Sequence, residues 1–171
     1  MIVLRTFSNY NYLVEAPIET KPPVADRSPK ILSDIFPKKL EISDEWRLEW
    51  HKPIFNKNKS VIQVMILKGG KHLFNSNCYG WIWISEHGRY PNRITLSYQE
   101  INHQRSFLTE KEIEIILKAL INFFSKSKKF KILTVYDDGY RWTWACQNLK
   151  FYRDEFWTTE GEMQDGMSIK L

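Results

Sequence analysis

Glu100 and His103, and the adjacent pair Asp137 and Asp138, come nearest in this chain to an acid–base or metal-ligand set. Each stands where a strand is expected to end. A carboxylate there can move a proton through a water or hold a cation. It can equally cap the next turn, as Asp138 before Gly139 would. The four histidines, His51, His72, His87 and His103, show no His-x-x-x-His spacing, and Cys78 and Cys146 form no Cys-x-x-Cys pair. Tetrahedral metal sites are usually announced by such spacings, so no metal is expected. No Gly-x-Ser-x-Gly, phosphate loop or dinucleotide fingerprint occurs. Hydrolase, nucleotide-binding and dehydrogenase chemistry have no support, and no cofactor is expected.

The second chemical resource is aromatic. Trp46, Trp50, Trp81, Trp83, Trp142, Trp144 and Trp157, with Tyr90, Tyr140 and Tyr152, exceed what one core usually needs. Those left at the surface would anchor a protein partner, because Trp and Tyr dominate binding hot spots. Interleaved with basic residues they would suit single-stranded nucleic acid. The predicted anchors are Tyr90, in a turn between strands, and Tyr140 and Trp142, beside the turn at Asp138 and Gly139.

At 171 residues, with 43% hydrophobic and 15% aromatic content, the chain reads as a single globular domain, residues 1–171. Its longest apolar runs are too short to cross a bilayer, and Met1 to Arg5 lacks a leader pattern. Two unpaired cysteines then read as reduced thiols in a cytoplasmic protein with no membrane partner. The net charge of +5, with a pI near 9.1, permits an acidic partner. Much of the excess is local: Lys126, Lys128, Lys129 and Lys131 crowd the end of a helix, where cations complement its dipole. A protein partner is therefore favoured over nucleic acid.

The elements that must position these residues centre on Arg93 to Asp138. Arg93 to Ile101 reads as a strand, Thr109 to Ser127 as a helix and Lys131 to Asp138 as a second strand. Ile113, Ile116, Leu117, Leu120, Ile121 and Phe124 draw one apolar stripe down that helix, and Thr109 with Glu112 forms a capping box. Upstream, Val61 to Leu67 and Cys78 to Ser85 are strands of a meander that Arg93 to Ile101 completes. Cys78 to Ser85 carries bulky side chains on both faces, which places it centrally. Ile2 to Phe7 suits a short strand, and residues 8–45 are irregular and carry five prolines, with one short helix after Ser28 and Pro29. Trp46, Leu48 and Trp50 alternate with polar residues as a half-buried strand would, although Ser43 could equally cap a helical turn there. Gly139 to Leu149 reads as a short helix, and Phe151 to Thr158 with Met163 to Leu171 as a closing hairpin.

This order, an α+β mixed sheet of about six or seven strands, resembles the GNAT N-acyltransferase superfamily, with residues 61–171 as its core. Tyr79-Gly80-Trp81-Ile82-Trp83-Ile84 is similar to that family's third strand. Ala145 to Phe151 is similar to its penultimate helix running into a leucine-glycine-phenylalanine step, and Met167 to Leu171 to its last strand. The resemblance implies acyl-CoA held on a loop of pattern Arg/Gln-x-x-Gly-x-Gly/Ala before the long helix. Here that stretch is Gln104-Arg105-Ser106-Phe107-Leu108-Thr109-Glu110, with no glycine. If the chain were an acyltransferase, Arg105 and Leu108 would fall at the donor loop and Glu100 would serve as general base. Cys146 would replace the tyrosine that protonates the departing thiolate.

Glycine lets backbone N–H groups approach a pyrophosphate, and carboxylates in the first helical turn repel it. The expectation is therefore a non-catalytic protein-binding or inhibitor domain on a GNAT-like scaffold, such as the immunity protein of a bacterial toxin. A divergent acyl-CoA-dependent N-acyltransferase is the alternative, and nucleic-acid binding comes third.

Overall fold

A computed structural model describes residues 2–7, 10–15, 31–52, 60–69, 78–99, 108–136, 139–157 and 161–171. Its elements in chain order are β1 (Ile2–Phe7), β2 (Tyr10–Glu15), α1 (Leu32–Ile35), β3 (Lys39–Glu41), β4 (Trp46–Lys52), β5 (Val61–Lys68) and β6 (Cys78–Glu86). These are followed by β7 (Arg93–Gln99), α2 (Glu110–Ser125), β8 (Ile132–Val135), α3 (Gly139–Asn148), β9 (Tyr152–Trp157) and β10 (Met163–Lys170). The chain divides into two units, Met1–Lys30 and Ile31–Leu171. The first holds an antiparallel hairpin of β1 and β2, in which Ile2 faces Glu15 and Phe7 faces Tyr10.

The second unit is built on an eight-stranded sheet in the order β3-β4-β5-β6-β7-β8-β10-β9. β4 to β7 form the expected antiparallel meander, and β6 sits centrally within the sheet. β7 and β8 are parallel neighbours, from Arg93 opposite Ile132 to Leu96 opposite Val135, with α2 as the crossover between them. Parallel strands require such a crossover, because a tight turn cannot reverse the chain twice. The sheet exceeds the expected six or seven strands because of β3, three residues whose Leu40 faces Leu48 of β4. Between Pro37 and Ser43, two charges flanking one leucine are too short a pattern to read as a strand.

The start of α2 follows from its sequence. Thr109 accepts a hydrogen bond from the Glu112 N–H at 3.3 Å, and the Glu112 carboxylate accepts one from the Thr109 N–H at 2.9 Å. The helix then buries Ile113, Ile116, Leu117, Leu120 and Phe124. They join one core with Ile62, Val64 and Ile66 of β5, Ile82 and Ile84 of β6, Ile94 and Leu96 of β7, and Leu133 of β8. Phe36, at the end of α1, packs on Phe124 at 5.9 Å, so α1 covers the same face of the sheet.

On the opposite face, four strands meet at one guanidinium. Arg93 donates from Nη1 to Thr134 Oγ1 at 2.9 Å and to Asp154 Oδ2 at 2.7 Å. Ser168 donates to the same Asp154 oxygen at 2.8 Å and lies 2.7 Å from the Thr134 hydroxyl. Tyr90 and Phe156 lie against the guanidinium at 5.1 and 5.3 Å from its carbon. The side chain of Arg93 is only 9% exposed and that of Asp154 20%, so removal of either partner strands a charge in a poorly hydrated site. Asp154→Ala should lower unfolding free energy in urea by roughly 3 kcal/mol. Arg93→Met combined with Asp154→Leu should cost clearly less than that single change, because no charge is then left unpaired.

Candidate functional site

Parallel strands joined by a crossover leave a crevice at their C-terminal ends, where open α/β sheets commonly take ligands. The pairing of β7 with β8 stops at Leu96 and Val135, extended by a single bond from the Tyr136 N–H to the Leu96 carbonyl at 3.0 Å. Ser97, Tyr98 and Gln99 continue β7 past that point, where no described residue of β8 pairs with them, so among the described residues an opening follows. Its helix side is closed by aromatic rings. Tyr98 stacks on Trp142 of α3 with centroids 4.8 Å apart and planes tilted by 32°. The Tyr98 hydroxyl donates to the Tyr79 carbonyl at 2.8 Å. Gly80 makes room for this ring: its φ is +145°, and a Cβ there would lie 2.6 Å from Tyr98 Cε2. That close approach is the physical reason for glycine inside a strand of bulky residues.

The start of α2 is the place where a pyrophosphate would have to dock. The capping box already uses the Glu112 and Thr109 N–H groups, and Glu110 and Glu112 put negative charge in the first turn. Glu112 also lies 3.6 Å from Lys68 of β5. Asn148, at the end of α3, donates to the Glu110 carboxylate and, at 2.7 Å, to Glu114. The acids at this end of α2 therefore tie the two helices together. Leu108 is 1% exposed and belongs to the core, so it offers no surface to a donor. These residues do not fit an acyl-CoA pyrophosphate. Glu100, His103 and Arg105, as well as Asp137 and Asp138, lie outside the described residues.

Between α3 and the hairpin of β9 and β10 runs a cleft of about 490 Å³. Val135, Gly166 and Met167 line it with Trp142, Thr143, Cys146 and Tyr136, and Arg153, Glu155 and Asp165 bring charge to its border. Cys146 is buried at this cleft, and Cys78 is buried at the start of β6. Burial pushes the Cys78 thiol up from its ordinary value, so it stays protonated and unreactive.

The aromatic anchors fall differently from expectation. Trp142, expected at the surface, is 2% exposed and sits in the core against Tyr98. Tyr90 is half-buried in the turn before β7, 4.8 Å from the His87 ring. Tyr140 falls in the first turn of α3. The large hydrophobics that do reach solvent include Trp144 on α3, Tyr152 and Trp157 on β9, and Met163 on β10, each more than two-fifths exposed. Residue spacing separates them: Trp142, Ala145, Cys146 and Leu149 share one side of α3, whereas Arg141, Trp144 and Asn148 share the other. Trp142→Ala should cost about 3 to 5 kcal/mol in urea unfolding, as large-to-small changes in a core do, whereas Trp144→Ala should change stability by less than about 1 kcal/mol.

No protein-family model and no curated protein sequence matches the chain. Among solved structures it is similar to the microcin self-immunity acetyltransferase MccE, in complex with acetyl-CoA and AMP. That match has a TM-score of 0.52 and 12% identity over 80% of this chain and 98% of that one. It is also similar to the acetyltransferase of Salmonella typhimurium that modifies an N-terminal serine of a 50S ribosomal subunit protein (TM-score 0.51, 8% identity, 78% and 99% covered). The N-terminal domain of a ribosomal-protein-alanine acetyltransferase from Clostridium acetobutylicum matches with a TM-score of 0.50, 12% identity and coverage of 78% and 94%. At such identities the likeness is one of backbone, and it joins the order of strands and the single parallel pair described above. The chain has a GNAT-like fold.

Proposed function

We propose that this chain is a binding domain on a GNAT-like scaffold, which engages a protein partner and does not transfer an acyl group. The observation that carries this reading is the closed, acidic start of α2, where Thr109 and Glu112 cap each other and Glu110 adds a second carboxylate. A phosphate drawn to a helix start needs free N–H groups and a positive end of the dipole. Here the Thr109 and Glu112 donors are taken by the cap and the charge is opposed by Glu110 and Glu112. The Tyr98 and Trp142 rings filling the opening beyond β7 and β8 argue in the same direction. An inhibitor of the immunity type, binding a toxin directly, is the finer form of the proposal. MccE is a self-immunity acetyltransferase; in this chain the protective act would be binding alone.

One observation favours the second reading, a divergent acyltransferase: the structures it is similar to are acetyltransferases. Under that reading Glu100 would act as base, Cys146 as proton donor and Arg105 as donor-loop cation. Leu108 has no part in it, because it is a core residue.

Nucleic-acid binding finds less support. Lys129, one of the lysines clustered after α2, is engaged with Glu86 at 2.6 Å and lies over the Phe130 ring.

Affinity capture with the tagged chain from its own host, at low and at high salt, tests the proposal. A protein other than the chain itself should remain bound at high salt, because desolvated apolar contact is only mildly screened. Tyr90→Ala or Trp144→Ala should weaken that binding at least tenfold with circular dichroism unchanged. Recovery of nucleic acid alone, released by salt, would contradict the proposal, since phosphate contacts weaken steeply as salt rises.

A further inference from the structure

The two edges of the eight-stranded sheet differ in kind. β3 is three residues long and closed by a Lys39–Glu41 ion pair at 2.7 Å, the sort of short charged strand that discourages pairing. β9 is six residues long and, among the described residues, pairs with β10 on one side only and ends the sheet on the other. Among the described residues, Tyr152, Trp157 and Met163, three of the five exposed large hydrophobics, lie on this hairpin. Trp157 and Met163 face each other across it.

Charges on an edge strand usually keep other strands away, but the order of these charges does the opposite. Side chains alternate faces along a strand, so Arg153 and Glu155 share one face and flank Asp154 on the other. If β9 is set antiparallel to itself with Asp154 on a two-fold axis, Arg153 stands opposite Glu155 of the second copy, twice over. Tyr152 then stands opposite Phe156 of the second copy on the other face. Opposite charges and paired aromatics facing each other across strands are stabilising. A slip of one residue in one direction would set Asp154 against Glu155 and Arg153 against Phe156; in the other it would set Arg153 against an Asp154 already held by Arg93 and Ser168, and Tyr152 against Glu155. The two Asp154 carboxylates that meet at the axis are already engaged within their own chains, by Arg93 at 2.7 Å and Ser168 at 2.8 Å. The interface is isologous, as a two-fold dimer requires.

We propose that a second copy of this chain pairs along the outer edge of β9, centred on Asp154, to make one sheet continuous across a two-fold dimer. This goes beyond the proposed partner binding and does not depend on it. Sedimentation velocity of the full chain across the micromolar range tests it, with circular dichroism of each variant. The wild-type chain should sediment as a dimer. Arg153→Glu and Glu155→Arg should each give monomer, by placing like charges opposite each other. The double variant, R153E with E155R, should restore the dimer because the pairing is merely inverted.

Glu155→Arg is the sharper single change. Within its own hairpin Glu155 faces Asp165, so an arginine there relieves a like-charge pair while it breaks the dimer contact. The fold should therefore hold, with a melting temperature at or above wild type, as the dimer is lost. Should Arg153→Glu fail to fold, Glu155→Arg and the double variant still decide. A wild-type chain monomeric at every concentration would overturn the proposal. So would a dimer that survives Glu155→Arg, or a folded double variant that stays monomeric.

Discussion

One buried guanidinium gathers the strands that distinguish this fold. Arg93 opens β7, reaches across β8 to Thr134, and meets on β9 an aspartate that also accepts from Ser168 of β10. The parallel pair and the C-terminal hairpin are thereby joined through side chains as well as through the backbone ladder. A charge of this kind is tolerated inside a protein only when it is paired and hydrogen-bonded. The network thus restricts how β7, β8, β10 and β9 can be arranged. Everything placed on these strands inherits that restriction, including the opening after Leu96, the cleft beneath α3 and the free edge of β9.

The same scaffold can carry very different sites, and a shared fold does not transfer a function. What supports reading this chain as a binding domain rather than an acyl-CoA enzyme is local. Its long helix begins with a reciprocal cap and two carboxylates, one bonded to the end of α3 and the other beside Lys68. Each of these contacts stabilises the helix start, and the reciprocal cap and the two carboxylates make it a worse place for a phosphate. Stability of the helix and affinity for an anion compete for the same N–H groups, and here those of Thr109 and Glu112 serve the cap.

Much of this was legible in the residues. The 3.6-residue stripe from Ile113 to Phe124 and the Thr109–Glu112 box placed α2 within a residue or two of its observed bounds. Apolar runs bounded by turn residues likewise placed β4 to β7 and both strands of the closing hairpin, with alternation the signal at β4 and bulky side chains on both faces the signal at β6. Gly80 was readable as a family echo, but not as the seat for the Tyr98 ring, because only the fold brings those strands side by side. The Arg93 network was illegible for the same reason: its members are far apart in sequence and polar, and nothing local marks them as buried. β3 lies in a stretch of prolines and charges, and the Tyr10–Glu15 run of β2 holds only two aliphatic residues, so neither carries a long pattern.

The anchors are a different case. Helical spacing groups Trp142 with Ala145 and Cys146 and sets Trp144 apart with Arg141, a distinction available in the sequence that a reading by proximity to the turn passed over.

The claim on which the account turns is that the start of α2 does not accept a phosphate. Calorimetric titration of the full chain with acetyl-CoA, followed by amide hydrogen exchange across α2, tests it most directly. No saturable heat is expected at millimolar acetyl-CoA, and no added protection of the Glu110 to Ile113 amides. Saturable binding that protects those amides, and that is lost on Arg105→Ala, would contradict it and make this chain an acyltransferase with an unfamiliar donor site.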